Sequence, residues 1–218
     1  MDSSDYESQF RFEYQAHDLK SPGYITAKVP PNIMQVFTNA IEDVKKIGGE
    51  DVAYKLAGHL DDQIDLLCRK DCADIITPFL FDLAGAYNMH YNYMERFQTR
   101  AEPQHLYLNA LWLNMQKKHE FNPLHKHGGV YSFVIWHTIP YDIEAEKAMY
   151  KTKLSKASMF EIGYTDSLGL LQFETIPVDK QFEGIICFFP AVLHHGVFPF
   201  YTSDERRITI SGNLFFKS

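Results

Sequence analysis

Two histidines one residue apart, His125 and His127, stand in the stretch Phe121-Asn122-Pro123-Leu124-His125-Lys126-His127-Gly128-Gly129. On extended backbone, side chains alternate with period two, so both rings would leave from one face. Neutral imidazole is the commonest protein ligand for a transition metal, so the pair can supply two neighbouring corners of one coordination sphere. A third corner must come from elsewhere, and Phe189-Pro190-Ala191-Val192-Leu193-His194-His195-Gly196-Val197 offers it. His194 and His195 are adjacent, so on a strand only one of them can face that centre. Further on, Arg207 opens Arg207-Ile208-Thr209-Ile210-Ser211-Gly212-Asn213-Leu214, in which odd positions are polar and even ones mostly apolar. Such a strand has one face in a greasy layer and the other toward water or a polar cavity. Taken alone it reads as an edge strand with a solvated face. Next to a metal site, the same Arg, Thr, Ser and Asn make a floor for a carboxylate, with Arg207 as a planar fork. The parts are a metal site and an anion clamp.

The other histidines carry less. His17, His59, His90 and His105 stand alone and read as surface or core-edge residues. His119 lies in a Lys-rich turn and reads as solvated, and His137 as structural or pocket-lining. Glu120 and Asp142 are the carboxylates nearest the His-x-His pair in sequence, and neither has the spacing of a ligand.

These residues need a scaffold. Residues 1–22 are polar and read as an irregular or partly strand-forming lead-in, and Tyr24 to Val29 as a short strand closed by Pro30-Pro31. Asn32 is a plausible N-cap for a helix through Ile33, Met34, Val36, Phe37, Ala40, Ile41 and Val44, stopped by Gly48-Gly49. A second helix is predicted over Asp51 to Cys68 and a third over about Asp71 to Arg96, with Pro78 near its start. From Leu106 the period changes. Leu106, Leu108, Ala110, Trp112 and Asn114 fall on one side of a predicted strand, and Tyr107, Asn109, Leu111, Leu113 and Met115 on the other. Further strands are predicted at Tyr131–Thr138, Ser158–Gly163, Leu170–Ile176, Gly184–Phe189, Leu193–Phe198 and Arg207–Phe216, with Asp142 to Leu154 a charged helix or long loop. Trp112, Asn114, Tyr107 and Tyr131 are candidates for a pocket wall.

Helices first and then a run of short strands indicates an α+β protein. The β part suits a jelly roll, which encloses a pocket between two sheets, with the helices packed outside one of them. The 218 residues are expected to form a single domain: a mainly helical support over 1–104 and a jelly-roll catalytic core over 105–218. The chain is 45% hydrophobic, 15% aromatic and 22% charged, the balance of a globular protein with a substantial core. A net charge of −7 without a Lys/Arg cluster disfavours nucleic acid as a partner. Apolar runs such as Ile185 to Phe189 are too short to span a bilayer, and the acidic start MDSSDYESQF lacks the features of a signal peptide. Three cysteines make no even disulfide framework. Cys68 and Cys72, four apart in a helical pattern, read as reduced core thiols, and the expected compartment is the cytoplasm.

The combination His-x-His-Gly-Gly-x-x-Ser-Phe-Val, Phe-Pro-Ala-x-x-x-His-Gly-Val and Arg-x-Thr-x-Ser-x-Asn resembles the 2-oxoglutarate- and Fe(II)-dependent oxygenases. It is most similar to their small prolyl-hydroxylase-like members of unassigned substrate, encoded by bacteria and tailed phages. For a phage-encoded chain the compartment would be the host cytoplasm. The similarity covers roughly residues 105–216, with a looser echo at Lys55-Leu56-Ala57-Gly58-His59. It implies a double-stranded β-helix with His125 as first ligand of Fe(II), His195 as distal ligand and Arg207 as the 2-oxoglutarate anchor. Thr209, Asn114 and Tyr131 would assist in holding the co-substrate. The family's acidic second ligand falls at His127, so the implied site is three-His, which imidazole's affinity for iron allows. The expected partners are 2-oxoglutarate, O₂ and one unidentified prime substrate, peptidyl (for example prolyl) or otherwise, with a homodimer left open. The expected products include succinate and CO₂. The alternative is a cupin-like jelly-roll protein that binds metal without 2-oxoglutarate turnover, and a third reading is a structural protein whose histidines never meet.

Overall fold

The computed structural model describes residues 23–52, 58, 60–97, 105–149 and 155–217. The chain opens on β1 (Ile25–Lys28), and α1 (Pro31–Ile47) follows at once. Asn32 is not the cap. Pro30 holds that position and Pro31 begins the helix, where its fixed φ is already helical and its missing N–H costs nothing. Ile33, Phe37, Ala40, Ile41 and Val44 form the buried stripe, and Gly48, at φ +77°, ends the helix by donating its N–H to the Val44 carbonyl.

The helix predicted over Asp51 to Cys68 does not form among the described residues there. Gln63–Asp65 is instead a short strand, β2, paired to the long strand that carries Trp112 and Asn114. Its apolar residues satisfied a helical spacing, but the sheet edge they meet decided the outcome. Most of the Lys55–His59 echo and all of residues 1–22 lie outside the described residues. The third predicted helix is α2 (Lys70–Tyr91), with Pro78 in its interior, followed by a 3₁₀ turn at Tyr93–Phe97. Cys72 is buried on this helix, whereas Cys68 precedes it and is exposed.

The remaining elements are β3 (Leu106–Gln116), β4 (Asn122–His125), β5 (Tyr131–Thr138), α3 (Ile143–Ala148), β6 (Phe160–Thr165), β7 (Leu171–Ile176), β8 (Ile185–Pro190), β9 (His194–Val197) and β10 (Arg207–Phe216). They form two antiparallel sheets, one ordered β1-β8-β5-β10-β3-β2 and the other β4-β9-β6-β7. β4 was not predicted, because Pro123 disguises a four-residue edge strand.

Strand alternation sorts two apolar layers. Phe133, Ile135, Ile186, Phe188, Ile208 and Ile210 join α1 and α2 in the larger core on one face of the six-stranded sheet. Val134, Trp136, Cys187 and Phe189 point the other way, toward Phe160, Ile162 and Ile176 of the four-stranded sheet. Each fully buried side chain of this kind contributes roughly 1.5–3 kcal/mol. Between the β3–β10 pair the register slips at Asn213/Leu214. That bulge turns Leu106 and Leu108 toward the helices, although the sequence alternation sets them beside Trp112 and Asn114. Gly212 lies next to it, where a Cβ would come within 2.4 Å of the Ala110 carbonyl oxygen. Among the described residues no helix is long and apolar enough to cross a membrane.

Candidate active site

β4 and β9 pair antiparallel with His125 directly opposite His195. Their ring centroids are 4.3 Å apart, and the His127 ring lies 4.9 Å from His125 and 5.1 Å from His195. β4 ends at His125, but the His127 backbone N–H donates to the Ala191 carbonyl at 2.9 Å, which keeps the chain alongside the β8–β9 connection. The turn that follows needs Gly129: its φ is +99°, and a Cβ there would meet the Phe215 ring at 2.6 Å. One nitrogen from each of the three rings lies within 4.8 Å of those of the other two. His195 is buried while His194 is exposed, so it is His195 that faces inward.

Two of the imidazoles are fixed in one tautomer. His125 Nδ1 lies 2.7 Å from the Pro123 carbonyl and His195 Nδ1 3.0 Å from the Leu193 carbonyl. A carbonyl only accepts, so each Nδ1 carries the hydrogen and each neutral ring leaves Nε2 as its lone-pair nitrogen. Asn122 Nδ2 lies 3.3 Å from the His125 Nε2. Burial is the first cause that depresses all three, with neighbouring imidazoles as the lesser one: His127 to about 4, His195 to about 3, and His125 in the same direction. At neutral pH the rings are uncharged, the form in which imidazole binds a metal. The donor set fits a divalent transition ion such as iron. Neither nearby carboxylate joins it. Glu120 accepts from the Lys117 and Asp61 backbone N–H groups, and Asp142 caps α3.

The cleft between the sheets continues from the triad past Trp112, Trp136, Phe160 and Phe189 to a polar floor. Asn114 donates to Thr209 Oγ1 at 3.1 Å and meets the Gln63 amide at 2.9 Å, and Ser211 completes the row. Arg207 closes it, only 2% exposed. Its Nε and Nη2 both donate to Gln116 Oε1, at 3.0 and 2.6 Å. Its Nη1 donates to Tyr141 Oη and the Ser158 carbonyl, and Nη2 also to the Phe198 carbonyl. Arg206 points away and pairs with Asp62.

Tyr131 and Tyr107 do not belong to this cleft. Tyr131 shares the phase of Phe133 and is buried on the helix side, its ring against Tyr87, Tyr93 and Phe188. Among the described residues its hydroxyl has no hydrogen-bond partner. Tyr107 lies beyond the β3 bulge and is exposed. His137 sits between Thr38 on α1 and Thr138 and has a structural place. Gln63, Gln116 and Tyr141 line or complete the site without having been singled out in the sequence. Gln116 could have been, since it continues the phase of Trp112 and Asn114 along β3.

Residues 110–213 match the model of a family described as 2OG-Fe(II) oxygenase. Among solved structures, a Pseudomonas putida prolyl-4-hydroxylase is similar at 12% identity, covering 91% of this chain and 95% of its own, with a TM-score of 0.55. The α-ketoglutarate-dependent epimerase SnoN from nogalamycin biosynthesis matches at 12% identity over 89% of this chain and 77% of its own, TM-score 0.57. A Trichoplax adhaerens prolyl hydroxylase, in complex with a hypoxia inducible factor fragment, matches at 8% identity over 90% and 84%, TM-score 0.51. At these identities the structural likeness concerns the fold. Among curated proteins the sequence has no match.

Proposed function

We propose that this chain, whose residues 110–213 match the 2OG-Fe(II) oxygenases, a family that uses Fe(II) and 2-oxoglutarate, works as they do and hydroxylates a prime substrate. The balance would be R–H, O₂ and 2-oxoglutarate going to R–OH, succinate and CO₂. The observation that carries the reading is the meeting of His125, His127 and His195 in one cleft with the buried Arg207. The two facing sheets are read as a double-stranded β-helix, and 1–218 as a single domain whose helices brace the larger sheet.

In this reading His125 and His195 bind the metal through Nε2, with the Pro123 and Leu193 carbonyls holding their rings in place. His127 takes the position of the family's acidic ligand. Fe(II), when bound, would activate O₂ as the oxidant for attack on a C–H bond, with 2-oxoglutarate supplying two of the electrons. Arg207 holds the co-substrate's far carboxylate, and Thr209 and Asn114 offer polar contacts along the same floor. Trp112, Trp136, Phe160 and Phe189 keep water from the reacting centre. Tyr131 has no part in this, since it lies behind the sheet. Peptidyl side chains, prolyl among them, are the substrate class that the fold likeness to prolyl hydroxylases favours.

The test is anaerobic titration with Fe(II) and 2-oxoglutarate, looking for the weak visible absorption of the chelate. Succinate release under O₂ is then measured with candidate peptides. Metal binding without chelate absorption would sink the proposal. One observation favours the alternative of a metal-binding module without turnover: every N–H of Arg207 already has an acceptor inside the protein. No succinate with any substrate, in a protein that binds the metal alone, would decide for that module.

A further inference from the structure

Arg207 and Gln116 are register partners across the β10–β3 pair. Gln116 Oε1 accepts from Nε at 3.0 Å and from Nη2 at 2.6 Å, which is the two-pronged edge of guanidinium that fits a carboxylate. The amide nitrogen of Gln116 is itself tied, donating to the Glu120 carbonyl at 2.5 Å. The other acceptors around Arg207 are two backbone carbonyls and the Tyr141 hydroxyl. All are neutral, and the cation is 2% exposed. A buried charge satisfied only by neutral dipoles is far less stable than one facing an opposite charge. The seat is therefore shaped for an anion and occupied by an amide.

We infer that Gln116 is a displaceable stand-in for the co-substrate carboxylate. It holds the Nε/Nη2 edge of Arg207 while the cleft lacks an anion and gives up that edge when 2-oxoglutarate arrives. This rests on Arg207 being the anchor proposed above. Of its contacts, the Gln116 pair is the one a ligand can take over without unfolding backbone, because the Ser158 and Phe198 carbonyls belong to the chain trace itself. The Tyr141 hydroxyl stays on Nη1 and also reaches the Ser158 carbonyl at 3.3 Å. A stand-in of this kind lowers apparent affinity, since only the fraction of molecules with the edge released can bind.

Two effects of opposite sign follow for Gln116→Ala and for the longer Gln116→Met, neither of which offers an amide oxygen. The ligand-free protein should melt at a lower temperature, because Arg207 loses an acceptor. Yet 2-oxoglutarate should bind to the Fe(II)-loaded, oxygen-free protein about tenfold more tightly by calorimetry (about 1.4 kcal/mol). A residue that merely supports Arg207 would move both in the unfavourable direction. Gln116→Glu puts a tethered carboxylate in the seat and should weaken 2-oxoglutarate binding at least tenfold. The inference is overturned if Gln116→Ala and Gln116→Met both bind 2-oxoglutarate more weakly than wild type. Should Arg207→Ala bind 2-oxoglutarate as well as wild type does, it is the anchor reading that falls, and the stand-in with it. If Ala fails to fold, the Met variant decides.

Discussion

His125 and His195 are cross-strand partners, one on β4 and one on β9, with ring centroids 4.3 Å apart and each Nδ1 turned to a carbonyl two residues earlier in the chain. The same local device is used twice, and it aims both Nε2 atoms into the space between the sheets. His195→Ala or His125→Ala should therefore remove metal binding by more than the 10–100-fold typical of losing an outer partner of a ligand. His194→Ala, one residue away but on the exposed side, should leave it within about twofold, since a solvated side chain contributes little. Metal content after dialysis and a calorimetric Fe(II) titration check both. Equal losses at 194 and 195 would mean the inward face is wrongly identified.

His127 tests the departure from the family's usual ligand. His127→Ala should abolish iron binding, whereas His127→Asp should keep it, because a carboxylate oxygen reaches comparably and adds a negative charge to hold Fe(II). The readout is succinate formed without prime substrate, together with bound iron. If the Asp variant holds no more iron than the Ala variant, position 127 is not a ligand. Outside the triad, the Trp112 ring lies edge-on to His127 at 5.6 Å.

The site was more legible than the scaffold, for a physical reason. Period-two alternation on β10 separates Ile208 and Ile210 from Arg207, Thr209 and Ser211 without reference to anything distant. The adjacency of His194 and His195 likewise forces a choice that one burial value answers. Tyr131 went to the wrong face because β5 is apolar on both sides, so its pattern carries no phase. Leu106 and Leu108 went wrong because a bulge, invisible in the sequence of one strand, shifts the alternation. The helix expected from Asp51 to Cys68 failed where the pairing of Gln63 with Asn114 outweighed local spacing. The last two misses belong to a partner strand rather than to the residue itself.

Arg207 and Arg206 form a built-in control. Arg207→Ala strips four neutral acceptors of their donor and empties a buried site, which should destabilise the protein by about 3 kcal/mol. It should also raise the Kd for 2-oxoglutarate about thirty-fold or more, as removal of a shielded charged partner does. Arg206 pairs at the surface with Asp62, its side chain 38% exposed, so Arg206→Ala should cost at most about 1 kcal/mol and leave 2-oxoglutarate binding unchanged. Urea unfolding and calorimetry separate the two. Matching effects would reduce the pair to a basic patch.

Acid should loosen the metal-free fold in a defined window. His127 is held to about 4 and His195 to about 3, mainly by burial, and His125 and His137 are depressed for the same first cause. An unfolded chain protonates its histidines near 6.5. Between that value and the folded ones the unfolded state binds more protons, so stability falls as pH falls, and above about 7 these groups contribute no slope. Glu120 works against this, since burial raises its carboxyl and protonation there favours the fold. Asp166 and Asp204, both lowered by hydrogen-bonded partners, add their own loss only near and below their ordinary value of 3.8. Four histidines against one glutamate leave a net decline in the urea midpoint of chelator-treated protein from pH 6.5 to 4.5. His127→Gln, which cannot titrate, should make that decline shallower. A midpoint that stays level across the window in the wild-type protein would show that the rings are not held neutral by burial.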